Sequence, residues 1–168
     1  MSNVIEIDTL KVTEKEAVIQ LLLESYEQYA NDYSTEGWQE YVKNIKASLQ
    51  NPNIDRILVA KSGEKILGSL QLFENAAAAY QVSSIEITNP IIRLLAVSPD
   101  ARGKGIAQAL LKESVRYAKS KGASYLYLHS SDNMKNAVRL YEWFGFKRDE
   151  SNDFHAVNVH VKCFRLEL

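Results

Sequence analysis

Hydrophobic residues along the chain fall into runs that change period. Ile91–Val97 is almost continuously apolar, interrupted only by Arg93, and reads as a buried strand. Ser98–Gly105 follows as a turn carrying Pro99, Arg102, Gly103, Lys104 and Gly105. From Ile106 the period becomes helical. Ala107, Leu110, Leu111, Ser114, Val115 and Ala118 form one stripe, the helix runs to about Lys121, and Gly122 is a C-cap. Tyr125–His129 is a short strand with Leu126 and Leu128 on one face. A strand–helix–strand order of this length predicts parallel neighbours.

Upstream, Val4–Val12 reads as a strand, and Thr13 with Glu16 reads as a capping box opening a helix through Ala17, Val18, Leu21 and Leu22 to about Tyr29. Asn31–Gly37 is a polar break. A second helix is expected from Trp38 to about Leu49, with Trp38, Tyr41, Val42, Ile45 and Leu49 on one face. Arg56–Lys61 and Lys65–Phe73, joined through Ser62-Gly63, predict a hairpin. Gly68 inside the second strand suggests a bulge or a close backbone approach. Asn75–Asn89 mixes four alanines, which suit a helical turn, with strand-like Val82, Ile85 and Ile87. Downstream, a polar segment leads to a helix from about Met134 to Phe144, with Met134, Ala137, Val138 and Tyr141 on one face and Gly145 at its end. Phe146–Asp149 and Ala156–Leu168 are the last strands. In the latter, Val157, Val159 and Val161 alternate with Asn158, His160 and Lys162.

Composition narrows the class. The chain has 168 residues, 46% hydrophobic and 24% charged, with formal net charge −1. That suits one globular domain with a substantial core and argues against a strongly basic nucleic-acid binder. The single cysteine, Cys163, has no intrachain partner. No basic-then-apolar leader and no membrane-length apolar run is found, so a cytoplasmic protein without a membrane partner is expected. No repeat or linker divides the chain, and residues 1–168 read as a single domain.

The turn after the apolar strand has the chemistry of an anion site. Gly103 and Gly105 permit unusual φ, the helix start leaves backbone N–H groups without intrahelical partners, and Arg102 and Lys104 add charge. Two common phosphate loops do not fit. Gly103-Lys104-Gly105 is not a Walker ending, and Gln108 stands where a dinucleotide fingerprint needs glycine. On local chemistry alone, a ligand-free glycine connection competes with a phosphate cradle.

Arg102-Gly103-Lys104-Gly105-Ile106-Ala107 resembles the Q/R-x-x-G-x-G/A signature of the GCN5-related N-acetyltransferase (GNAT) superfamily. Leu94–Pro99 is typical of the approach to it, and Ala137–Phe146 is similar to the family's A-x-x-L-Y-x-x-x-G-F element. Two motifs in order are more specific than either alone. The resemblance is strong over Ile91–Phe146. It implies an α/β fold with a mixed, mostly antiparallel central sheet, a parallel pair at the cofactor gap and about four flanking helices. It further implies acetyl-CoA as acyl donor. Leu95, Ala96 and Val97 would offer backbone bonds to pantetheine and the thioester carbonyl. Arg102, Gly103, Lys104, Gly105, Ile106 and Ala107 would hold the pyrophosphate, and Asn133–Asn136 would border the coenzyme. Met134 stands where the family often has asparagine, so Asn133 takes that place, with Asn136 beside it.

Tyr141 matches the family's tyrosine that protonates the departing thiolate, although it also lies on an apolar helical face. No carboxylate lies in Ile91–Val97, so the base is left open among Glu74, Glu86 and water. His129 at a strand end reads as structural in preference to catalytic. His155, His160 and Cys163 show no metal-ligand spacing, and no metal is expected. Tyr26, Tyr29, Tyr33, Trp38 and Tyr41, interleaved with Glu24, Glu27, Asp32 and Glu36, are either a wall for a cationic amine or a packed aromatic edge with a solvated acidic face. The leading function is N-acetyl transfer to a primary amine of a small molecule or a peptide or protein. A CoA-binding or acyl-CoA-binding sensor without turnover is the alternative. Exposed strand edges leave room for a homodimer.

Overall fold

The computed structural model describes residues 4–80, 85–156 and 159–168. In chain order the elements are β1 (Glu6–Thr9), α1 (Lys15–Tyr26), α2 (Thr35–Ala47), β2 (Arg56–Ser62), β3 (Lys65–Phe73) and α3 (Ala76–Tyr80). There follow β4 (Ile91–Val97), α4 (Ile106–Ser120), β5 (Tyr125–Ser131), α5 (Lys135–Phe144), β6 (Lys147–Arg148), β7 (Phe154–Ala156) and β8 (Val159–Glu167). The chain forms two compact units, residues 1–71 with 94–113, and residues 72–93 with 114–168. β3, β4 and α4 each contribute residues to both.

The first unit holds β1, β2, β3 and the second half of β4 as successive neighbours. β1 pairs antiparallel with β2, from Glu6↔Lys61 to Thr9↔Leu58. α1 buries Val18, Leu21, Leu22, Ser25 and Tyr26, a stripe of helical period. Ala17, expected on that stripe, is exposed. The entry to α1 also differs from the expected Thr13–Glu16 box. Glu14 takes the capping role instead: its carboxylate accepts the Lys11 N–H at 2.8 Å and the Lys61 ammonium at 3.0 Å. Lys61 is buried on β2, so the pair ties the turn before α1 to the sheet, and β1 spans four residues. α2 starts at Thr35 and not at Trp38, because the Ser34 hydroxyl accepts the Gly37 N–H at 3.0 Å and caps the helix earlier.

In the second unit β4 runs parallel to β5, with Ile91 opposite Tyr127 and Ile92 opposite Leu128. β5 pairs antiparallel with β8 from Tyr125↔Glu167 to Ser131↔Val161, and β6 and β7 both pair with β8. The parallel pair in an otherwise antiparallel sheet agrees with the expected fold class. Five α-helices are found among the described residues, the extra one being the five-residue α3 formed by the alanines. The expected continuous strand Ala156–Leu168 is instead two strands, with His155 paired to His160 and Ala156 to Val159. Asp153 closes this hairpin. Its carboxylate takes both Arg148 nitrogens, at 2.7 and 2.8 Å, and the Cys163 N–H at 2.6 Å, and faces the His160 ring nitrogen at 2.9 Å. The Arg148 guanidinium is the main cause holding this carboxyl far below the usual carboxylate range. Val82, Val157 and Asn158 lie outside the described residues.

Gly68 resolves the choice between bulge and close approach. A Cβ there would stand 2.8 Å from Ile106 Cγ2, 3.1 Å from Leu110 Cδ1 and 3.1 Å from the Ala96 carbonyl oxygen. α4 therefore packs directly on the β3 backbone, and Ile106 and Leu110 are fully buried there. Gly68→Ala is expected to cost about 1–3 kcal/mol through overpacking. Urea unfolding should show a lower midpoint at unchanged slope; an unchanged midpoint would mean that α4 yields freely.

Candidate active site

The first unit carries a continuous strand–turn–helix. Leu94, a leucine, has φ 52°, inside the left-handed region that a side chain disfavours. This bend comes two residues after the parallel ladder's Ile92. Leu95 and Val97 are half-buried, and Ala96 is buried. The Leu95 carbonyl accepts the Tyr26 hydroxyl at 2.9 Å, which fastens the end of α1 to β4 just past the bend. Ser98 N–H then bonds the Leu67 carbonyl at 2.8 Å, and a short turn over Pro99–Ala101 leads to Arg102.

Gly103 and Gly105 have φ 79° and 77°. Among the described residues beyond the chain neighbours, no atom would lie within 4 Å of a Cβ at either, so backbone conformation, and not internal crowding, demands glycine here. The first helical bond runs from Ala109 N–H to the Gly105 carbonyl at 3.0 Å. The N–H groups of Ile106, Ala107 and Gln108 precede it and have no intrahelical acceptor. Arg102, Gly103, Lys104 and Gly105 are exposed, Ala107 is half-buried, and Ile106 is the buried anchor. Arg102 is partly committed, since its Nη2 donates to the Ser25 carbonyl at 3.3 Å.

The five aromatic residues from the end of α1 into α2 pack on one another. Tyr41 stacks on Trp38 at 5.5 Å and lies 5.3 Å from Tyr33 and 6.0 Å from Tyr26. Glu24, Glu27, Asp32 and Glu36 are exposed around them. This is the packed edge with a solvated acidic face, one of the two arrangements expected. Burial is the main cause raising the Tyr29 phenol pKa, and nearby Arg102 opposes it.

The second unit carries the other expected residues. Tyr141 lies on α5 with 8% of its surface exposed, and its ring meets Phe146 edge-on at 6.1 Å. Its carbonyl accepts the N–H groups of Gly145 and Phe146 at 3.2 and 2.9 Å, and Gly145 turns away at φ 120°. The helix end is thereby fixed one turn after the tyrosine. Asn133 is half-buried with its Oδ1 accepting the Ser131 hydroxyl, and Asn136 is exposed. Glu74 is exposed and paired with Lys121 at 3.1 Å, and Glu86 is exposed. Neither is a buried carboxylate on a strand. Cys163 is fully buried, which pushes its thiol up to about 12 and removes it as a nucleophile.

A profile of the Acetyltransferase (GNAT) family matches residues 16–146. The chain belongs to this family. Human N-acetyltransferase 8B is 30% identical over 117 residues, 63% of this chain and 46% of that protein. The Escherichia coli [ribosomal protein bS18]-alanine N-acetyltransferase is 27% identical over 96 residues, 56% of this chain and 64% of that protein. The chain spans about half the length of the first of these curated relatives. Among solved structures, the PaiA N-acetyltransferase of Thermoplasma acidophilum, in complex with coenzyme A, superposes with TM-score 0.69 at 20% identity, covering 98% of this chain and 99% of that one. The similarity of fold therefore extends over 98% of the chain, beyond the stretch that carries the motifs.

Three features of this GNAT chain were not legible in its motifs. Tyr26 grips the Leu95 carbonyl, Arg102 is moored on α1, and His129 is built into a side-chain cluster. The His129 Nε2 lies 3.0 Å from the Asn152 carbonyl, which only accepts, so that nitrogen carries the hydrogen. Nδ1 then accepts the Tyr80 hydroxyl at 2.9 Å. The rings of Tyr80 and Phe154 pack at 5.0 and 5.1 Å, and Arg93 lies 4.9 Å over Tyr80. This is the satisfied structural histidine. Burial is the main cause lowering its pKa from 6.5. The unfolded chain thus takes up this proton at higher pH than the folded chain. The stability His129 contributes is present above about pH 6.5 and is lost as pH falls through its depressed folded value. Melting temperature should fall on acidification from about pH 7.5 to about pH 5.5, and the slope should be shallower in His129→Gln. Parallel slopes would show that His129 is not held neutral.

Proposed function

We propose that this chain is an acetyl-CoA-dependent N-acetyltransferase acting on a primary amine of a small molecule or of a peptide or protein, in the cytoplasm and as one catalytic domain. The observation that carries the reading is the bent strand at Leu94 running into two left-handed glycines and an open helix start, in a chain of the GNAT family. A run of N–H groups with no Cβ to shield them suits a pyrophosphate. The exposed Lys104 ammonium adds charge at the same place, with Arg102 contributing the guanidinium nitrogens not used on Ser25.

The roles follow from the chain's own groups. Residues 102–107 bind the pyrophosphate. Leu95, Ala96 and Val97 bind the pantetheine and thioester through their backbone. Because the Leu95 carbonyl is held by Tyr26, its N–H is the group we assign to the thioester oxygen. Asn133 and Asn136 border the coenzyme. Bound acetyl-CoA supplies the activated acetyl group. The amine nitrogen forms the new bond to the acetyl carbon, the carbon–sulfur bond breaks, and the Tyr141 hydroxyl gives its proton to the sulfur. A phenol is protonated at neutral pH and suits that task. Glu74 and Glu86 are both exposed, which favours water as the route for the amine's proton.

The lack of a buried carboxylate on β4 is also what a coenzyme-binding sensor without turnover would have. Thiol release from acetyl-CoA with a panel of amines separates the two. Turnover is expected for the wild type. Tyr141→Phe should lower kcat about 10²–10⁴-fold while the thermal stabilisation by CoA is retained. Full turnover in Tyr141→Phe across the pH range would refute the acid assignment. Stabilisation by CoA with no amine acetylated would favour the sensor.

A further inference from the structure

One buried group is not absorbed by these roles. Gln71, on β3, has 2% of its surface exposed, and its carboxamide Nε2 has no hydrogen-bond partner among the described residues. A buried N–H donor left unpaired costs about 1–3 kcal/mol, and native proteins hold few of them. Other polar groups of the first unit contrast with it: Lys61, Tyr26 and Arg102 all have protein partners.

Its position follows from two observations. Ser98 N–H bonds the Leu67 carbonyl, and β3 and β4 are antiparallel neighbours. Four residues on from Leu67 is Gln71, and four back from Ser98 is Leu94, so Gln71 lies beside the left-handed bend. Gly68 faces Ile106 and Leu110 of α4. Side chains alternate along a strand, so Gln71 projects from the opposite face of the sheet. The donor is thus buried next to the backbone assigned to the thioester, on the face that α4 does not cover.

We propose that Gln71 is a specificity-determining residue: its carboxamide N–H donates to an oxygen of the acyl acceptor, which selects α-amino carbonyl compounds, such as amino amides and peptide N-termini, over plain alkylamines. This rests on the acyl-transfer reading above. The physical basis is the asymmetry of a buried donor. An acceptor whose carbonyl oxygen lies close to the reacting nitrogen satisfies Nε2, whereas an alkylamine of the same size leaves it unpaired. Phe73 and Ser69, which flank Gln71 on that face of β3, are buried too, so bulk water has poor access to the group.

Glycinamide and propylamine are compared by thiol release from acetyl-CoA, in wild type and in Gln71→Met, which keeps length and removes only polarity. The ratio of kcat/KM for the two amines is measured in each protein, so that differences in amine basicity cancel. The ratio is expected to fall roughly 10–100-fold in the variant, with melting temperature unchanged or raised because an unpaired donor has been removed. An unchanged ratio, or equal losses on both amines, overturns the proposal. Gln71→Leu is the second variant should Gln71→Met fold poorly. If the wild type acetylates neither amine, thiol release with the wider amine panel tests the acyl-transfer reading separately. Thermal shift in the presence of CoA then decides on Gln71. Stabilisation by glycinamide and not propylamine, abolished in the variant, supports the donor role, and its absence in the wild type overturns it.

Discussion

The structure depends on one close approach. A helix can lie against a strand's backbone only where no Cβ intervenes, and Gly68 provides that place for Ile106 and Leu110. Ile106 is the first residue of α4, so its burial fixes where the helix begins. The helix start in turn fixes where unpaired N–H groups are presented, and the two left-handed glycines deliver the chain to that point. Packing in the core thereby determines the geometry of an exposed loop. Nothing among the described residues crowds Gly103 or Gly105, which is why the loop can stay open while its end is rigid.

The bend at Leu94 needs similar support. A leucine at positive φ costs on the order of 1–3 kcal/mol unless its surroundings over-determine it. Here the residues on either side are secured. Ile91 and Ile92 are in register with β5, and the Leu95 carbonyl is gripped by Tyr26. Arg102 adds a second tie from the turn to the carbonyl of Ser25, the neighbour of Tyr26. The end of α1 therefore braces both the strand and the loop, a role that α1's apolar stripe does not reveal.

What could be read in the sequence was what depends on period and on local backbone need. Ile91–Val97 and the start of α4 at Ile106 were found as expected, because a seven-residue apolar run and a glycine turn leave little choice. The parallel pair followed from strand–helix–strand order. Boundaries set by side chains reaching across the fold were misread. Glu14 replaces Thr13 and Glu16 because Lys61, 47 residues away, supplies its partner. The C-terminal strand divides because Asp153 gathers Arg148, His160 and the Cys163 N–H, a set that no alternation pattern contains. The roles proposed for residues 102–107 and Tyr141 rest on two motifs occurring together; local chemistry left a ligand-free turn and a core tyrosine as alternatives.

The polar interior sorts into groups whose chemistry is finished and groups whose chemistry is open. Lys61 with Glu14, Asp153 with Arg148, and His129 with Tyr80 and Asn152 are closed sets, each donor matched to an acceptor. Such sets raise stability and specify register, and they have little left to offer a ligand. Gln71 Nε2 and Ser130 Oγ are the buried side-chain atoms without partners among the described residues. Gln71 stands beside the strand's bend, where the backbone is itself held out of its preferred conformation. Strain and an unpaired donor at one place are both costs to folding, and the contact proposed between Gln71 and the acyl acceptor would offset the second.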